Sequence, residues 1–304
     1  MKPLCRMRSI PLLLAMSLVA LMAVPALSMA AQPTVNLGTT SSYAVLAGQT
    51  ITNTGPTTIS GDAGGNVGIY PGSAFPGQAD VTLSGQVHIN DTQAITAMTD
   101  LQVAYDDAAG RTPVTTIPTE LGGRTLTPGV YVSESGTFQV TGTLTLDAQG
   151  DPNGVFIFKT DSSLITASGS SVNLVNAARY CRTFWKVGSS ATLGSNSHFT
   201  GHIFALTSIA AQTGATVQGQ LLARNGAVTL DTNTITNGLC ATIATPSPTP
   251  TPTPSPTPGT TGTNGTVSGG RLPTTGSPWY NVLFAGVALA LIGAVGLKTR
   301  KTDE

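Results

Sequence analysis

The side chains that commonly perform catalysis or bind metals are few in this sequence and lie far apart. Carboxylates that cleave glycosides work in pairs or beside a metal within a cleft, and zinc sites need histidines or cysteines at short, fixed spacings. Neither arrangement is visible among the candidates, which are Asp147, Asp151, Asp161, Asp231, His88, His198 and His202. We therefore expect no enzymatic activity, no metal site and no cofactor.

Hydroxyl side chains are abundant and regularly spaced. They recur in residues 185–238, which divide into three consecutive blocks of 18 residues with alternating apolar and polar positions, the period of a β-strand. The apolar positions align as Trp185, Ile203 and Leu221, as Ala191, Ile209 and Ala227, and as Phe199, Val217 and Ile235. A fixed repeat of this length predicts an all-β solenoid whose coils each supply three short strands.

The outward positions of two of these strands form rows of small polar side chains. On the third strand they are Thr58, Ser60, Ser171, Asn173, His198, Thr200, Thr216, Gln218, Thr234 and Thr236. On the second strand, the alternative, they are Thr50, Thr52, Ser190, Thr192 and Ser208, followed by Gly226 and Val228. Threonine is stiff at χ1 and its hydroxyl can order bridging water, so either row could organise water as a rigid array. Such rows also occur on ordinary solvent-facing strands, and the pattern alone leaves both interpretations open.

The outward side of the first strand is apolar, because Phe204 and Leu222 fall there. This predicts that another element covers it. The best helical pattern spans residues 91–109, with Asn90 or Asp91 as its N-cap and Gly110 at its end. Its apolar stripe consists of Ile95, Met98, Leu101, Tyr105 and Ala108. We expect this helix to pack against the first strands of the coils.

Composition and the N-terminal sequence indicate an exported protein. Only 9% of the 304 residues are charged and 35 are glycine, as in extracellular all-β proteins. A basic start, an apolar core at residues 12–24 and the small residues Ser28-Met29-Ala30 predict a secretion signal over residues 1–30. The folded domain is then predicted to span residues 31–244. Because the sequence contains no basic stripe, nucleic acid is not an expected partner.

Two cysteines, Cys181 and Cys240, remain after the signal. An even pair in a secreted chain favours a disulfide, and closing this loop could contribute about 4 kcal/mol to stability. Coil stacking argues against the bond, because about three coils separate the two residues by roughly 14 Å along the axis. Only a folded-back tail or a protruding loop could bring them together, so the sequence leaves the pairing open.

Several long phrases of the chain resemble the bacterial and fungal ice-binding protein family known as DUF3494. They are SYAVLAGQTITNTGPTTISGD, TPGVY, LTLDAQGDPNGVFIF and GSSATLGSNSHFTGHIFALTSIAAQTGATVQGQLLARNGAVTL, and the resemblance covers about residues 34–240. Some members carry a Thr-(Ala/Gly)-x-(Thr/Asn) pattern on their ice-contacting side. It occurs here at Thr54-Gly55-Pro56-Thr57 and Thr213-Gly214-Ala215-Thr216, whereas other coils depart from it.

The resemblance implies a discontinuous, right-handed, three-sided β-helix with one α-helix alongside, whose N-terminal coil can lie beside the C-terminal coils. It also implies that a flat side of the β-helix binds ice. We expect ice to be the partner, and we expect the third-strand row to be the contact surface, with the second-strand row as the alternative. A cell-surface adhesin or carbohydrate-binding module is the competing interpretation.

The C-terminal region resembles the sorting signal of Gram-positive surface proteins. A Thr/Ser-Pro-rich stalk at residues 245–271 precedes residues 272–304, which contain the motif Leu272-Pro273-Thr274-Thr275-Gly276, an apolar segment at 279–297 and a basic tail. The resemblance implies that a sortase joins Thr275 to peptidoglycan after the apolar segment has held the precursor in the membrane. We expect a secreted, cell-wall-anchored protein, with a plain membrane anchor as the alternative.

Overall fold

The computed structural model describes residues 32–240, and the predictions for residues 1–30, 245–271 and 272–304 lie outside the described residues. The first strands are β1 (Tyr43–Ala47), β2 (Ile51–Thr54), β3 (Thr57–Ser60), β4 (Asn66–Ile69), β5 (Val81–Leu83) and β6 (Val87–Ile89). The helix α1 spans Thr92–Gly110. Within residues 32–240, no helix has the length and apolar character needed to cross a membrane.

After the helix, the chain forms strands almost continuously. They are β7 (Thr115–Ile117), β8 (Thr125–Leu126), β9 (Gly129–Ser133), β10 (Phe138–Val140), β11 (Thr143–Asp147), β12 (Phe156–Thr160), β13 (Leu164–Thr166) and β14 (Ser171–Val175). They continue as β15 (Thr183–Val187), β16 (Ala191–Leu193), β17 (His198–Ala205), β18 (Ile209–Ala211), β19 (Thr216–Ala223), β20 (Val228–Asp231) and β21 (Thr234–Thr236). Within residues 32–240 the fold is therefore all-β with one α-helix, as the sequence predicts.

The strands stack in three columns, and all of their pairings are parallel. Column 1 runs β7, β9, β12, β15, β17, β19, β1, β4, β6, and column 2 runs β10, β13, β16, β18, β20, β2. Column 3 contains β8, β11 and β14, and then β17, β19, β21, β3 and β5. The strands β17 and β19 serve columns 1 and 3 because they bend at Gly201 and Gly219. A Cβ atom on Gly219 would lie 2.0 Å from the Gly201 carbonyl oxygen, so the bend requires glycine there.

Aromatic rings stack along the interior of column 1. The ring centroids of Phe158 and Trp185 lie 4.0 Å apart, and those of Tyr131 and Phe158 lie 5.4 Å apart. The Trp185 Nε1–H donates to the Thr200 carbonyl oxygen at 3.1 Å, so the indole is both buried and satisfied. Large rings that repeat at the spacing of the coils hold successive coils in register.

The coils do not stack in chain order. The first coil sits beside the last, since β1 pairs with β19 on one side and with β4 on the other. The chain thus starts inside the stack, reaches one end at β6 and resumes at the other end with β7. Eight strand steps separate these ends, roughly 38 Å, and the 19 residues of α1 span about 28 Å of that distance. This order confirms the expectation that the N-terminal coil lies beside the C-terminal coils.

The helix α1 covers the outward side of column 1. Its N-cap is Asp91, whose carboxylate accepts the Ala94 N–H at 2.8 Å. The helix residues buried against Leu46, Phe184, Phe204 and Leu222 include Ala97, Leu101, Ala104, Tyr105 and Ala108. The predicted stripe was wrong at Ile95, which is 40% exposed. Alanines at 94, 97 and 104 let the helix approach closely, so the buried face is shifted from the one that the larger residues indicate.

The 18-residue repeat slips by one residue in its last block. Ile209 pairs with Val228 rather than with a position aligned to Ala227, and Val228 is fully buried. The turn before β20 is one residue longer than its predecessor and the turn after it is one shorter, so β21 returns to register with β19. Predictions that placed Val228 outward and Ala227 inward were therefore wrong. The glycine- and proline-rich residues 62–80 contain the strand β4.

A disulfide joins Cys181 to Cys240, with their Cα atoms 5.5 Å apart. The segment between β14 and β15 leaves the stack and forms a short 3-10 helix at Tyr180–Arg182 that contacts β17 and β19. This protruding segment carries Cys181 across the coils to the last strand. The distance between coils does not prevent the bond, because Cys181 lies outside the stack.

Candidate functional site

The column 2 face is an unbroken sheet of six strands. Its central outward row is in register and consists of Gln139, Ile165, Thr192, Ala210, Thr229 and Thr52. A parallel row, one position before each strand, consists of Thr137, Ser163, Ser190, Ser208, Ala227 and Thr50. Backbone hydrogen bonds of 2.9–3.2 Å connect all six levels of this second row. The structure thus brings together the five second-strand residues that the sequence predicts.

Neither of these rows contains an ionisable side chain. Two carboxylates border the rows: Glu120 bridges to Gln139 at the β10 end, and Asp231 lies opposite Thr54 in the register. The Thr213 hydroxyl donates to Asp231 at 2.5 Å and the Thr232 hydroxyl donates to it at 3.0 Å. Two hydroxyl donors fix this carboxylate at the corner of the sheet, away from the central row.

The column 3 face presents two longer rows. The first, in register, is Thr143, Ser171, His198, Thr216, Thr234, Thr58 and Thr82. The second includes Thr145, Asn173, Thr200, Gln218, Thr236 and Ser60. The His198 Nδ1 and Thr216 Oγ1 atoms lie 2.7 Å apart, so the imidazole is fixed across two coils. All ten predicted third-strand residues therefore lie in one column.

The column 3 face is interrupted between β14 and β17. These strands pair only at Ser171 and His198, and beyond that point a groove opens beside Asn173 and Gln218. Thr200, predicted to be outward and open, is only 7% exposed, and its hydroxyl donates to the Val172 carbonyl oxygen at 2.9 Å. The prediction that Thr200 belongs to an exposed surface was therefore wrong. This face consists of two flat parts and a step between them.

The Thr-(Ala/Gly)-x-(Thr/Asn) segments lie at the corner between columns 2 and 3. Their second residue has a left-handed backbone, with φ of 68° at Gly55 and 72° at Gly214, and the equivalent residues of two coils that depart from the pattern, Asn196 and Thr232, have φ of 54° and 53°. The fourth residue of the first segment, Thr57, is buried, and its Oγ1 accepts the Asn233 N–H at 3.0 Å. The pattern therefore builds a tight, regular corner that borders both faces.

Some members of the column 2 rows escaped prediction. Thr229 was missed because the repeat slips at the turn before β20. Gln139, Ile165 and Ser163 were missed because their coils lie outside the clear 18-residue blocks. The signal that finds them is the alternation along each strand, in which two buried residues, Phe138 and Val140 or Leu164 and Thr166, flank the outward residue.

Comparison with known proteins identifies the family. A family model described as "Ice-binding-like" matches residues 45–236. The chain belongs to this ice-binding family. An ice-binding protein of Nostoc sp. (strain HG1) is 45% identical over 203 residues, which cover 66% of this chain and 73% of the relative.

Solved structures of ice-binding proteins share the fold. A crystal structure of an ice-binding protein from an Antarctic biological consortium matches with a TM-score of 0.65 and 42% identity, over 68% of this chain and 92% of that one. One from the Antarctic ascomycete Antarctomyces psychrotrophicus matches with a TM-score of 0.63 and 40% identity, over 67% and 98% of the two chains. These structures agree with the family model, so the chain has both the sequence and the fold of the ice-binding family.

The histidines of this ice-binding family member have separate environments. His88 Nδ1 lies 2.8 Å from the Asp91 carboxylate, and the Ala94 N–H, together with His88, holds the pKa of Asp91 below its usual range. His202 is fully buried beside Phe184, and burial lowers its pKa from 6.5 to about 4. Within residues 32–240, no group of three or more His, Cys, Asp or Glu side chains is arranged to hold a metal ion.

Proposed function

We propose that this protein binds ice through its column 2 face. The observation that carries the proposal is an in-register, uncharged array of mostly small side chains, two rows wide and six coils long, on a member of the ice-binding family. The names of its relatives, including the Nostoc protein, support ice as the partner.

The physical basis is a rigid template for water. Neighbouring strands repeat at about 4.8 Å and alternate residues along a strand at about 6.8 Å, which gives a regular two-dimensional grid. Threonine side chains are stiff at χ1, so their hydroxyl and methyl groups are positioned before binding and lose little entropy. Ionised groups would hold strongly oriented hydration shells that disturb an ordered water layer. The two rows of column 2 are free of them.

Column 2 suits a flat crystal surface better than column 3. Its six strands are hydrogen-bonded without a break, and four of the six residues in its central row, Thr192, Ala210, Thr229 and Thr52, are threonine or alanine. Column 3 has a step at β14, and its rows include the longer, exposed side chains of His198 and Gln218. We therefore favour the second-strand residues over the third-strand residues as the ice contact.

The three columns support a finer description of the scaffold as a right-handed, three-sided β-helix. In this arrangement α1 occupies one side, and columns 2 and 3 supply the two open sides. The stacked aromatic interior and the glycine corners make the open sides stiff. Stiffness supports ice binding because the surface does not need to rearrange when water orders on it.

Cell-surface attachment completes the proposed function. The N-terminal secretion pattern and the motif at Leu272–Gly276 support export followed by sortase-mediated attachment to peptidoglycan. Cell fractionation checks this part separately. Loss of the protein from the wall fraction is expected for Thr275→Ala, whereas unchanged wall association would contradict sortase attachment.

Matched substitutions test the choice of face. Thr192→Tyr places a large ring in the middle of the column 2 rows, and Thr216→Tyr does the same in column 3. We expect Thr192→Tyr to abolish shaping of a single ice crystal and Thr216→Tyr to leave it intact, with melting temperatures close to that of the parent protein for both. The reverse result would move the site to column 3. A parent protein that leaves ice crystals round and growing freely would refute ice binding altogether.

A further inference from the structure

We infer that the Cys181–Cys240 disulfide is a mechanical clamp that transfers load from the C-terminal end of the domain to the middle of the stack. The inference rests on the proposed function, in which the protein is held by ice on one side and by a C-terminal attachment on the other. Any pull along the chain then enters the described domain at Cys240, four residues after the end of β21.

Without the disulfide, only a few hydrogen bonds of the C-terminal segment would resist this pull. Between β21 and Cys240, the main anchors are the Asn237 N–H bonded to Ser60 O at 2.8 Å and the Asn237 side-chain amide bonded to Ser41 O at 2.9 Å. The Leu239 carbonyl adds one hydrogen bond from the Tyr180 hydroxyl at 3.2 Å, and the Leu239 side chain is 65% exposed. These contacts would open one after another, because a pull at the end loads them in sequence.

If the C-terminal segment were pulled away from the stack, the next element to be loaded would be the short strand β21. β21 has three residues, and it connects the first coil to the rest of column 3 because it pairs with β19 on one side and β3 on the other. Its loss would leave β3 without that neighbour and would detach part of the first coil from the stack. The first coil supplies Thr50 and Thr52 to the proposed ice-binding face, so peeling would also damage that face.

The disulfide moves the entry point of the load. Cys181 lies two residues before the start of β15, so almost no slack separates it from that strand. β15 is paired on both sides, with β12 and β17, and it contains Phe184 and Trp185, which are 0% and 1% exposed. Both strands have partners on two sides, but extracting the five-residue β15 must also expose the rings of Phe184 and Trp185, whereas the three-residue β21 buries only Ile235.

The test is a single-molecule pulling experiment on the full chain without ice. One handle is attached at the C-terminus, and the other is attached to an azide-bearing residue introduced at position 52, on the proposed ice-binding face. The parent protein is compared with the Cys181→Ser/Cys240→Ser variant. If that variant does not fold, the parent protein is reduced and alkylated after folding and then compared.

The oxidised parent is expected to resist until one high-force rupture, and its fully extended length should be shorter by 59 residues, roughly 210 Å. The variant is expected to show an additional early step at low force. Equal first-rupture forces in the two forms would overturn the clamp, and equal extended lengths would show that the bond is not formed and would overturn it as well. Neither result depends on ice binding or wall attachment, which crystal shaping and cell fractionation measure separately.

Discussion

Acidification should destabilise this domain through one buried imidazole. His202 is 2% exposed, and burial lowers its pKa from 6.5 to about 4 despite the opposing effect of the Gln220 side chain. The unfolded chain therefore binds a proton at this residue between pH 6.5 and 4, while the folded protein does not. The stabilising effect of a neutral His202 is fully present above pH 6.5 and is lost progressively as the pH falls towards 4.

The size of the effect follows from the gap between the two pKa values. At about 1.4 kcal/mol for each pKa unit, the change from pH 7 to pH 4 should lower the free energy of unfolding by about 3 kcal/mol. Most of this loss should already be present at pH 5. For a domain of this size, such a loss lowers the melting temperature by roughly 6–12 °C.

Urea unfolding at a series of pH values measures this dependence directly. The control is His202→Phe, which keeps an aromatic ring against Phe184 and removes the titrating nitrogens. Its unfolding free energy should change much less between pH 6.5 and 4 than that of the parent protein. A loss of less than about 1 kcal/mol by the parent protein over this interval, or the same slope in the His202→Phe variant, would show that His202 does not cause the pH dependence.

Three further predictions concern the corners, the helix and the face. Gly219→Ala should strongly destabilise the domain, because the added Cβ would lie 2.0 Å from the Gly201 carbonyl oxygen. Gly110→Ala is the matched control, since open space surrounds that position, and it should leave stability nearly unchanged. Thermal melting of both variants measures the difference. Asp91→Ala should cost about 1 kcal/mol in urea unfolding because the N-cap is lost, and an unchanged midpoint would contradict the capping role. Thr229→Arg should abolish ice shaping at an unchanged melting temperature, and normal crystal facets would count against the column 2 face.

The register of the coils could be predicted from the sequence where successive coils have equal length. Trp185, Ile203 and Leu221 pair as their spacing indicates. The position of Val228 could not be predicted, because one turn gains a residue while the next loses one and the block length stays at 18. Spacing alone carries no information about such a compensated slip.

Long-range features needed more than periodicity. The placement of the first coil beside the last could be expected only from the family resemblance, because no local pattern in residues 43–61 indicates which coil lies next to it. The disulfide depended on a segment that leaves the stack, and its path is set by contacts such as that of Tyr180 with Leu239, which spacing does not reveal. The two open faces could be recognised from alternation, but their relative flatness depends on how β14 meets β17.

The non-sequential stacking of the coils also determines when this domain can fold. The Asn233 N–H that bonds to Thr57 comes from a residue 176 positions later in the chain, so the first coil lacks its partner until nearly the whole domain has been made. Contacts of such high sequence separation slow folding, and they prevent a stable N-terminal half from forming during synthesis. A chain that folds this late would suit the proposed export, because the domain closes only when its last coil is available.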